Sequence, residues 1–481
     1  MMTDPLAWLV LLPLLWACGA FLLGPGRGAW LAGTGVALQL FCALLVGGSL
    51  LEGGIRTHAI GGWGAPLGID LAADGLAAIM LLLTQLVALP LMLYARTYFA
   101  AGDATAHYFW PLAGMLLGGL NALFLSTDLF NLYVTLEIVG LASVGLVVTG
   151  GDARQIAAGL RYLLATLVGS SMYLLGVALL YGVYGTVSIA TLGPLIDSAA
   201  PRAVWLAAGL MLFGLMLKTA LFPFHYWLPP AHGSAPAPVS ALLSALVVKA
   251  SFYLILRLWL GPFLPMSAAA AWLAALLGSV AILWGSWHAI HTERLKELVA
   301  YSTVAQLGYL FLVFPLLGPD EIALQAGTMQ VVAHGLAKAA MFAATGVFIH
   351  LNGRDAVADV AGVAGRLPVT LFAFALAGMT LMGLPPSGGF LAKWLLIHAA
   401  LRQGHWWLVV VIIAGSLLAA VYVFRVLRQA FLVVPDERRR HGAVPRMLEW
   451  TAFFLAAASV AVGLRGMEIL RLLAIGRQVP A

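Results

Sequence analysis

Charged residues are scarce in this chain. Of its 481 residues only 9% are Asp, Glu, Lys or Arg, whereas 62% are hydrophobic. Soluble globular domains contain about 25% charged residues, so this composition excludes a soluble globule. It predicts an all-α polytopic membrane protein, because the apolar runs approach or exceed the ~20 residues that a helix needs to cross a bilayer.

Cysteine is nearly absent. Cys18 and Cys42 are the only two, both lie in apolar runs and no CxxC pair occurs, so no iron–sulfur or zinc site is readable. No segment between the apolar runs is long enough for a soluble domain, which excludes a flavin-, nucleotide- or haem-binding module of the chain's own. We therefore predict no cofactor and no metal site. The first run lacks a basic start, so we interpret it as a span and not as a cleaved signal.

Lysine is scarce as well, with 5 lysines among the 25 basic residues. Lys218, Lys249, Lys338 and Lys393 fall inside apolar runs, and only Lys296 is assigned to a loop. A charge at bilayer depth costs about 2.5–3.5 kcal/mol even on lenient insertion scales. A buried lysine gives up its proton readily, whereas an arginine effectively stays charged. The placement therefore predicts protonation chemistry inside the membrane.

The apolar runs predict about fourteen membrane spans. They cover residues 5–24, 29–51, 74–95, 108–126, 128–149, 155–183, 203–228, 236–260, 268–290, 298–317, 323–350, 368–400, 405–432 and 447–473. The run at 368–400 is long, which a break in its middle would explain. An even number of spans places both termini on one side of the membrane.

The connections between the spans orient the chain. With both termini outside, the inner connections hold 13 Lys and Arg residues against 6 in the outer ones, and the inner set includes Arg438, Arg439 and Arg440. The excess of basic residues on the inner side predicts a cell inner-membrane protein with periplasmic termini. The connection 52–73 alternates and is rich in turn residues, which predicts an external β-hairpin. We interpret GPGRG at 24–28 as a turn between spans, and 284–309 as a cytoplasmic turn between helices.

The first half of the chain places an acid and a lysine at membrane depth. Glu137 lies mid-span, and Lys218 is its expected partner; the alternative is an ion pair that is only structural. Asp128 starts the same helix, where it would cap free N–H groups, although a role as a proton relay stays open. Pro223 breaks the helix after Lys218 and frees the Thr219 carbonyl, which predicts hydratable backbone beside the lysine.

A second lysine follows the break. Lys249 lies 13 residues past Pro236, roughly 20 Å along a helix, which is too deep for its ammonium to reach an interface comfortably. His225 and His232 lie in the break between the two spans. Because histidine titrates near neutral pH, they could pass protons between Lys249 and the surface. The alternative is that both are polar loop residues.

The second half repeats this arrangement. His334 and Lys338 lie four residues apart, on one helix face. A proline- and glycine-rich break at 385–389 precedes Lys393, whereas the first break follows its lysine. This reversal fits an inverted internal repeat of the kind found in transporters.

Three stretches carry a family resemblance. LKTALFPFHYWLPPAHGSAPAPVSALLSALVVK, ERLKELVAYSTVAQLGY and GLPPSGGFLAKWLL resemble the antiporter-like subunits shared by Mrp-type cation/proton antiporters, respiratory complex I and membrane-bound hydrogenases. The resemblance covers about residues 70–430, and the D-type Mrp subunit is the most similar. It implies fourteen helices with two inverted five-helix repeats containing Pro-broken helices. The chain then divides into residues 1–107, a first repeat at 108–260, a second repeat at 268–432, and 433–481.

The resemblance also implies roles along a line of charges in the middle plane of the membrane. The implied proton-translocating residues are Glu137, Lys218, Lys249, His334, Lys338 and Lys393, with His225, His232 and Asp128 as candidates for proton entry or relay. Some relatives carry Glu at the position of Lys393, so this lysine leaves the kind of subunit open. No redox centre of the chain's own is implied.

Our leading hypothesis is a proton-translocating subunit of a multi-subunit complex, coupled to Na⁺ or another cation in an Mrp-type antiporter. Its partners would be other membrane subunits, the lipid bilayer, H⁺ and Na⁺, with no nucleic acid. One alternative is a proton-pumping subunit of a complex I-like NADH:quinone oxidoreductase or a hydrogenase. Further alternatives are an inorganic-carbon uptake subunit, a self-contained secondary transporter and a membrane scaffold, the last disfavoured by the buried charges.

Overall fold

A computed structural model describes residues 4–64, 68–99, 103–433 and 443–476 of the chain, and most of these residues are helical. The helices, in chain order, are α1 Pro5–Gly53, α2 Gly75–Tyr98, α3 Ala104–Leu125, α4 Leu129–Val147, α5 Ala153–Tyr184, α6 Ile189–Leu195, α7 Arg202–Thr219, α8 Leu228–Ser234, α9 Ala237–Leu242, α10 Val248–Leu260, α11 Ala268–His291, α12 Leu295–Phe311, α13 Ile322–Asn352, α14 Pro368–Met382, α15 Gly388–Arg402, α16 Trp406–Ala430, α17 Arg446–Leu464 and α18 Gly466–Leu473. A π-helical turn, Leu243–Val247, joins α9 to α10.

Aspartates begin the first five helices. Each of them stands directly before its helix and accepts a hydrogen bond from a free backbone N–H of the first turn, which is the preferred use of Asp at this position. The five are Asp4, Asp74, Asp103, Asp128 and Asp152. Among the acids that the structure places in helices, Glu137 is the one that lies away from a helix end.

The helix α1 folds back on itself. Its backbone leaves the helical region at Gly24, where φ is +79°, a conformation that suits glycine. Trp16 packs so tightly on Gly35 that a Cβ there would lie 2.3 Å from the indole. In a straight helix residues 16 and 35 would be ~28 Å apart. The predicted turn between the first two apolar runs is therefore confirmed.

Twelve helices in the described part of the chain are long and apolar enough to cross a membrane. The number becomes thirteen if the bent pair Val357–Gly365 and Pro368–Met382 counts as one span. This count treats the folded-back helix α1 as a single span. The predicted total of fourteen stays a prediction, whereas a helical, multi-pass membrane architecture is what the structure has.

The predicted β-hairpin is present. Strand β1, Arg56–Ala59, pairs antiparallel with strand β2, Asp70–Ala73, and residues 65–67 lie outside the described residues. Leu71 of β2 also bridges to Ser126, just before α4. The hairpin thus covers one end of the helix bundle.

The two proline-containing breaks end their helices in the same way. Ala220 after α7 and Gly383 after α14 adopt left-handed conformations, with φ of 58° and 80°. The next residue in each case donates its backbone N–H to a carbonyl five residues back, at 3.1 Å, as in a Schellman cap. The predicted break within 368–400 is confirmed, and α7 already ends at Thr219, before Pro223 can act on it.

Backbone pairing also matches between the two halves. In each half, two hydrogen bonds tie the start of one helix to the start of a later segment: Leu129 N–Val187 O and Ile189 N–Thr127 O in the first, Leu295 N–Asp355 O and Val357 N–Glu293 O in the second. Leu295 follows Leu129 by 166 residues, and Val357 follows Ile189 by 168. This correspondence supports the predicted repeats, whose bounds and inverted relation stay predictions.

Two long spans form the centre of the molecule. The span Ala237–Leu260, formed by α9, the π-turn and α10, is fully buried, and α13 is almost fully buried. These spans carry Lys249, His334 and Lys338. A buried charge needs partners, so the polar groups around these helices decide what the centre can do.

Two predictions about the connections are wrong. Lys296 does not lie in a loop: it occupies the first turn of α12 and is 6% exposed, with its ammonium donating to the Ala235 carbonyl. The stretch 284–309 is not mainly a turn, because α11 continues to His291 and α12 begins at Leu295. Packing against the segment after α8 buries this part of the chain, and local composition does not reveal that packing.

Candidate ion-translocation axis

Glu137 and Lys218 come together as predicted. Glu137 projects from α4 and Lys218 from the last turn of α7, and the Lys218 Nζ lies 3.5 Å from Glu137 Oε1. Two hydroxyls of α5 stand beside the pair: Lys218 donates to Thr166 Oγ1 at 2.7 Å, and Ser170 donates to the Glu137 carboxylate. The pair is therefore held by a third helix, and Lys218 has a neutral partner as well as a charged one.

The backbone freed at the first break is satisfied by protein. The Leu217 carbonyl accepts a hydrogen bond from the indole N–H of Trp227 at 2.9 Å, and this indole stacks on Tyr162 with the ring centres 4.2 Å apart. The structure thus meets the hydrogen-bond requirement of this carbonyl without water. The sequence pointed to the Thr219 carbonyl instead.

Lys249 is fully buried at the start of α10. Its ammonium donates to the Ser244 carbonyl, five residues back in the π-turn. A π-turn shifts the helical hydrogen bonds and is often found at functional sites. The Ser244 hydroxyl in turn lies 2.9 Å from Thr303 Oγ1 of α12, and Thr303 donates to the Val299 carbonyl at 3.1 Å.

Lys338 meets the same chain of polar groups from the other side. Its ammonium donates to the Val299 carbonyl and, at 2.7 Å, to Ser302 Oγ. Val299 O is therefore shared by Lys338 and Thr303. Lys249 and Lys338 therefore lie at the two ends of one group of neighbouring polar residues, in which Lys249 contacts the Ser244 carbonyl and Thr303 contacts the Ser244 hydroxyl.

Lys393 binds the backbone freed at the second break. Its ammonium donates to Leu381 O at 2.7 Å and to Ser416 Oγ at 3.0 Å, and it lies 4.4 Å from the centre of the Tyr309 ring. Gln306 of α12 donates to the same Leu381 carbonyl at 3.1 Å. Lys393 therefore donates hydrogen bonds directly to carbonyls freed at its break, whereas Lys218 donates to a side-chain hydroxyl instead.

The helix α12 supplies the polar side chains between the lysines. Ser302, Gln306 and Tyr309 follow one another at intervals of four and three residues, so they share one face of the helix, and Thr303 lies next to Ser302. Ser302 touches Lys338, and Gln306 shares a carbonyl with Lys393. Sequence analysis missed this face, although three polar side chains at helical spacing in an apolar run were the available signal.

Two buried histidines lie among the lysines. The ring nitrogens of His232 and of His334 have no hydrogen-bond partner within the described residues. His334 is close enough to Lys249, Lys338 and Lys393 for electrostatic interaction, and His232 to Lys249, Lys338 and Lys296. His334 and Lys338 both lie on α13, four residues apart as predicted, and His232 lies within electrostatic range of both the centre and Lys296.

His225 and Asp128 lie elsewhere. His225 stacks on Phe222 with the ring centres 5.5 Å apart, and its electrostatic neighbour is His288. Asp128 accepts the Asn131 N–H at 2.7 Å, which confirms the capping interpretation. Burial raises the pKa of the Asp128 carboxyl above its ordinary value, although hydrogen bonds from the backbone of Asn131 and Phe130 oppose this.

A polar cleft opens at the end of the molecule that carries Lys296. Its volume is about 320 Å³, and its lining includes Asp103, Gln155, Arg294, Lys296 and Asp355. Arg294 pairs with Glu297 at 2.7 Å and with Asp355 at 3.2 Å. The cleft therefore brings solvent-accessible charges within reach of Lys296 and, through it, of His232.

The stretch of sequence that contains these buried lysines matches a known protein family. The family described as NADH:quinone oxidoreductase/Mrp antiporter, TM matches residues 126–419, which hold every lysine of the axis. The chain belongs to this family. Residues 1–125, with the folded-back α1 and the hairpin, lie outside the match.

Members of the antiporter family from two kinds of complex resemble the chain. The N subunit of the NADH-quinone oxidoreductase of Desulforudis audaxviator is 34% identical over 96% of each chain. The D subunit of the Na(+)/H(+) antiporter of Bacillus subtilis is 30% identical over 84% of this chain and 82% of its own length.

Solved structures from both kinds of complex share the fold. A chain of the Mrp complex from Dietzia sp. has a TM-score of 0.90 and 28% identity over 99% of this chain and 97% of its own. A chain of respiratory complex I from Thermus thermophilus has a TM-score of 0.78 and 27% identity over 98% of this chain and 100% of its own.

Proposed function

We propose that this antiporter-family chain is a proton-translocating membrane subunit of a multi-subunit complex, most simply an Mrp-type cation/proton antiporter that exchanges Na⁺ for H⁺. The observation that carries the proposal is the row of buried lysines Lys249, Lys338 and Lys393, between which α12 places polar side chains. Buried lysines of this kind mark ion pathways in membrane proteins. The relatives named above are subunits of ion-translocating complexes, which supports the same assignment.

Protons would enter from the cleft that holds Lys296. His232 interacts electrostatically with both Lys296 and Lys249, and its ring nitrogens have no hydrogen-bond partner in the described part of the chain, so it would accept a proton and pass it on. From Lys249 the proton would move along α12 to Lys338, past Ser302 and Gln306, and reach Lys393. His334 lies among the three lysines and would exchange protons with them.

The Glu137–Lys218 pair would drive this transfer. While the carboxylate is near, it stabilises the charged ammonium of Lys218. If Lys218 moves towards the centre, its charge disfavours a second charge on Lys249. At 3.5 Å, with Thr166 as an alternative partner, the pair is loose enough to open. Opening and closing would then move protons along the axis in steps.

The proposal places both termini on the periplasmic side of the cell inner membrane. The 13-to-6 excess of basic residues in the inner connections supports this orientation, as does the cluster of Arg294 and Lys296 at the cleft. Arg438, Arg439 and Arg440, which contribute to that excess, lie outside the described residues. The repeats at 108–260 and 268–432 would be the two antiporter-like units.

A redox-driven complex is the second candidate host. The 34% identity to the N subunit of a NADH-quinone oxidoreductase over 96% of both chains favours it, whereas the TM-score of 0.90 against 0.78 favours the Mrp host. In that host the same axis would be driven by electron transfer in other subunits. The NADH:quinone oxidoreductase activity would belong to the whole complex.

One experiment separates these hosts. The native complex in vesicles is followed with a pH-sensitive dye, for the parent and for Lys218→Ala. Collapse of a pH gradient on Na⁺ addition in the parent, but not in the variant, is the expected result. A gradient that instead requires NADH or another reductant, and Lys218, indicates the redox host. If Lys218→Ala behaves like the parent in both assays, the proposed axis is wrong.

A further inference from the structure

A second polar stripe leaves the axis at Lys249. Along α10, Lys249, Tyr253 and Arg257 recur at every fourth residue, so they lie on one helix face. This stripe leads away from the cleft at Lys296 and towards the end of the molecule that the hairpin covers. None of the roles derived above uses Tyr253 or Arg257.

A small cavity lies where the stripe begins. Its volume is about 10 Å³, the room of about one water molecule. Lys249 and Tyr253 of α10 line it together with Thr328 of α13 and five apolar side chains. Thr328 is 2% exposed, and its hydroxyl lacks a hydrogen-bond partner in the described part of the chain. A water bound in this cavity would give the buried Thr328 hydroxyl the partner that it lacks.

The outer end of the stripe is closed by a charge pair. Arg257 donates to both oxygens of Asp74 at 2.5 Å, and it also donates to the Tyr253 hydroxyl at 2.9 Å. Tyr253 in turn donates to the Phe124 carbonyl at 2.7 Å. The two side chains of the pair are 29% and 17% exposed, so the pair stands between the buried centre and the surface.

We propose that this α10 stripe is a proton branch from Lys249 to the hairpin-covered end, with a water in the Thr328 cavity and the Arg257–Asp74 pair as its gate. The proposal rests on the proton-translocating function proposed above. With the pair closed, Arg257 keeps a fixed positive charge at the mouth, which repels an arriving proton. When Arg257 moves aside, a proton leaves the Lys249 ammonium, passes by the cavity water and the Tyr253 hydroxyl, and binds the Asp74 carboxylate.

The test is the passive proton leak of vesicles that hold the whole complex. A K⁺ diffusion potential is imposed with valinomycin, without Na⁺ or reductant, and the internal pH is recorded. We expect Arg257→Gln to raise the leak about fivefold, since the fixed positive charge at the gate is gone. Adding Lys249→Ala to this variant should return the leak to the parental value, because the branch begins at Lys249.

Two variants keep the test decisive. Arg202→Gln removes an exposed arginine at the start of α7, and its leak should equal that of the parent. Because loss of one partner can destabilise a buried pair, Asp74→Asn/Arg257→Gln removes both charges together, and it too should leak. If the complex assembles with either gate variant and its proton leak equals that of the parent, the proposal is wrong. It is also wrong if the leak of Arg257→Gln persists after Lys249→Ala is added.

Failure of the branch differs from failure of the proposed function. If Lys218→Ala abolishes coupled proton translocation and the gate variants show the parental proton leak, the proposed axis is supported and the proposed branch is wrong. If Lys218→Ala keeps full coupled activity while Arg257→Gln leaks through Lys249, the branch stands and the driving role of the Glu137–Lys218 pair is wrong.

Discussion

At the scale of single residues, the lysines differ in their partners. Lys218 binds a carboxylate and a hydroxyl, whereas Lys249, Lys338 and Lys393 bind carbonyl and hydroxyl oxygens without an acid among their hydrogen-bond partners. For a charged ammonium held by neutral oxygens in an apolar interior, much of the desolvation cost stays uncompensated. These three lysines can therefore lose a proton more easily than a paired one, as proton carriers must.

The hydroxyl of Thr303 tests the connection between Lys249 and Lys338. Thr303→Val keeps the shape of the side chain but removes the hydroxyl, which contacts both the Ser244 hydroxyl and the Val299 carbonyl. We expect coupled proton translocation to fall about tenfold, equivalent to roughly 1.4 kcal/mol in a barrier. The buried Ser244 hydroxyl would also lose a partner, at a cost of about 1–3 kcal/mol in stability.

Thr345 provides the matched control. It lies on α13, is fully buried, and its hydroxyl has no hydrogen-bond partner in the described residues. Thr345→Val makes the same chemical change without breaking a hydrogen bond to another described residue, so translocation should stay parental. Equal activity of both variants in the dye assay would show that the Thr303 hydroxyl carries no part of the pathway.

At the scale of helices, the helix ends account for five of the aspartates, one of which, Asp74, also pairs with Arg257. Five aspartates are occupied as helix caps, which leaves Glu137 as the acid in the middle of a span. The breaks after α7 and α14 share one cap geometry, yet only the second offers its freed carbonyls to a lysine. The same backbone solution therefore supports two different electrostatic sites.

Substitutions of Asp128 distinguish a helix-capping role of this residue from a role as a proton relay. Asparagine caps a helix as well as aspartate does, so Asp128→Asn should keep parental stability and translocation, whereas Asp128→Ala should lose about 1 kcal/mol of stability. Thermal unfolding of the purified complex and the dye assay provide the measurements. Loss of translocation in Asp128→Asn, with stability intact, would identify a proton relay instead.

The pH dependence of the Asp128 variants follows from the same burial. Since burial raises the pKa of this carboxyl in the folded protein, folding favours its protonated form. Its contribution to stability is present below the ordinary carboxyl pKa and is lost as the pH rises through the raised value. Asp128→Asn should lack this decline, which is seen by comparing thermal unfolding of the parent and the variant across that acidic range.

At the scale of the whole molecule, the two ends differ. One end has the open, charged cleft at Lys296, and the other has the hairpin and the Arg257–Asp74 pair. The span Ala237–Leu260 runs between them with Lys249 inside. An open cleft at one end and a closed charge pair at the other is the asymmetry that directional proton transfer needs.

The orientation of the chain can be measured with single cysteines. With Cys18 and Cys42 replaced by serine, a membrane-impermeant thiol reagent should label Arg154→Cys from the cytoplasmic side only. It should label Arg202→Cys from the periplasmic side only. Both arginines are exposed and lie at the starts of α5 and α7. The opposite pattern would invert the proposed topology, and with it the direction from cleft to gate.

The sequence by itself determined the class of the protein, most of its spans, both broken helices, the hairpin and the depth of four lysines. These follow from hydropathy, proline and turn residues, which act locally and need no knowledge of neighbours. The pairing of Glu137 with Lys218 could also be anticipated, because a lone mid-span acid needs a nearby base.

Only the tertiary structure decided which polar groups connect the lysines. Ser and Thr in a helix can always bond a carbonyl of their own preceding turn, so their presence in α12 does not reveal contacts with Lys338 or Ser244. Lys296 is buried by a segment 61 residues earlier in the chain, and Arg257 meets an aspartate 183 residues away. Such contacts depend on which helix faces pack together, and hydropathy, being a local property, does not specify that packing.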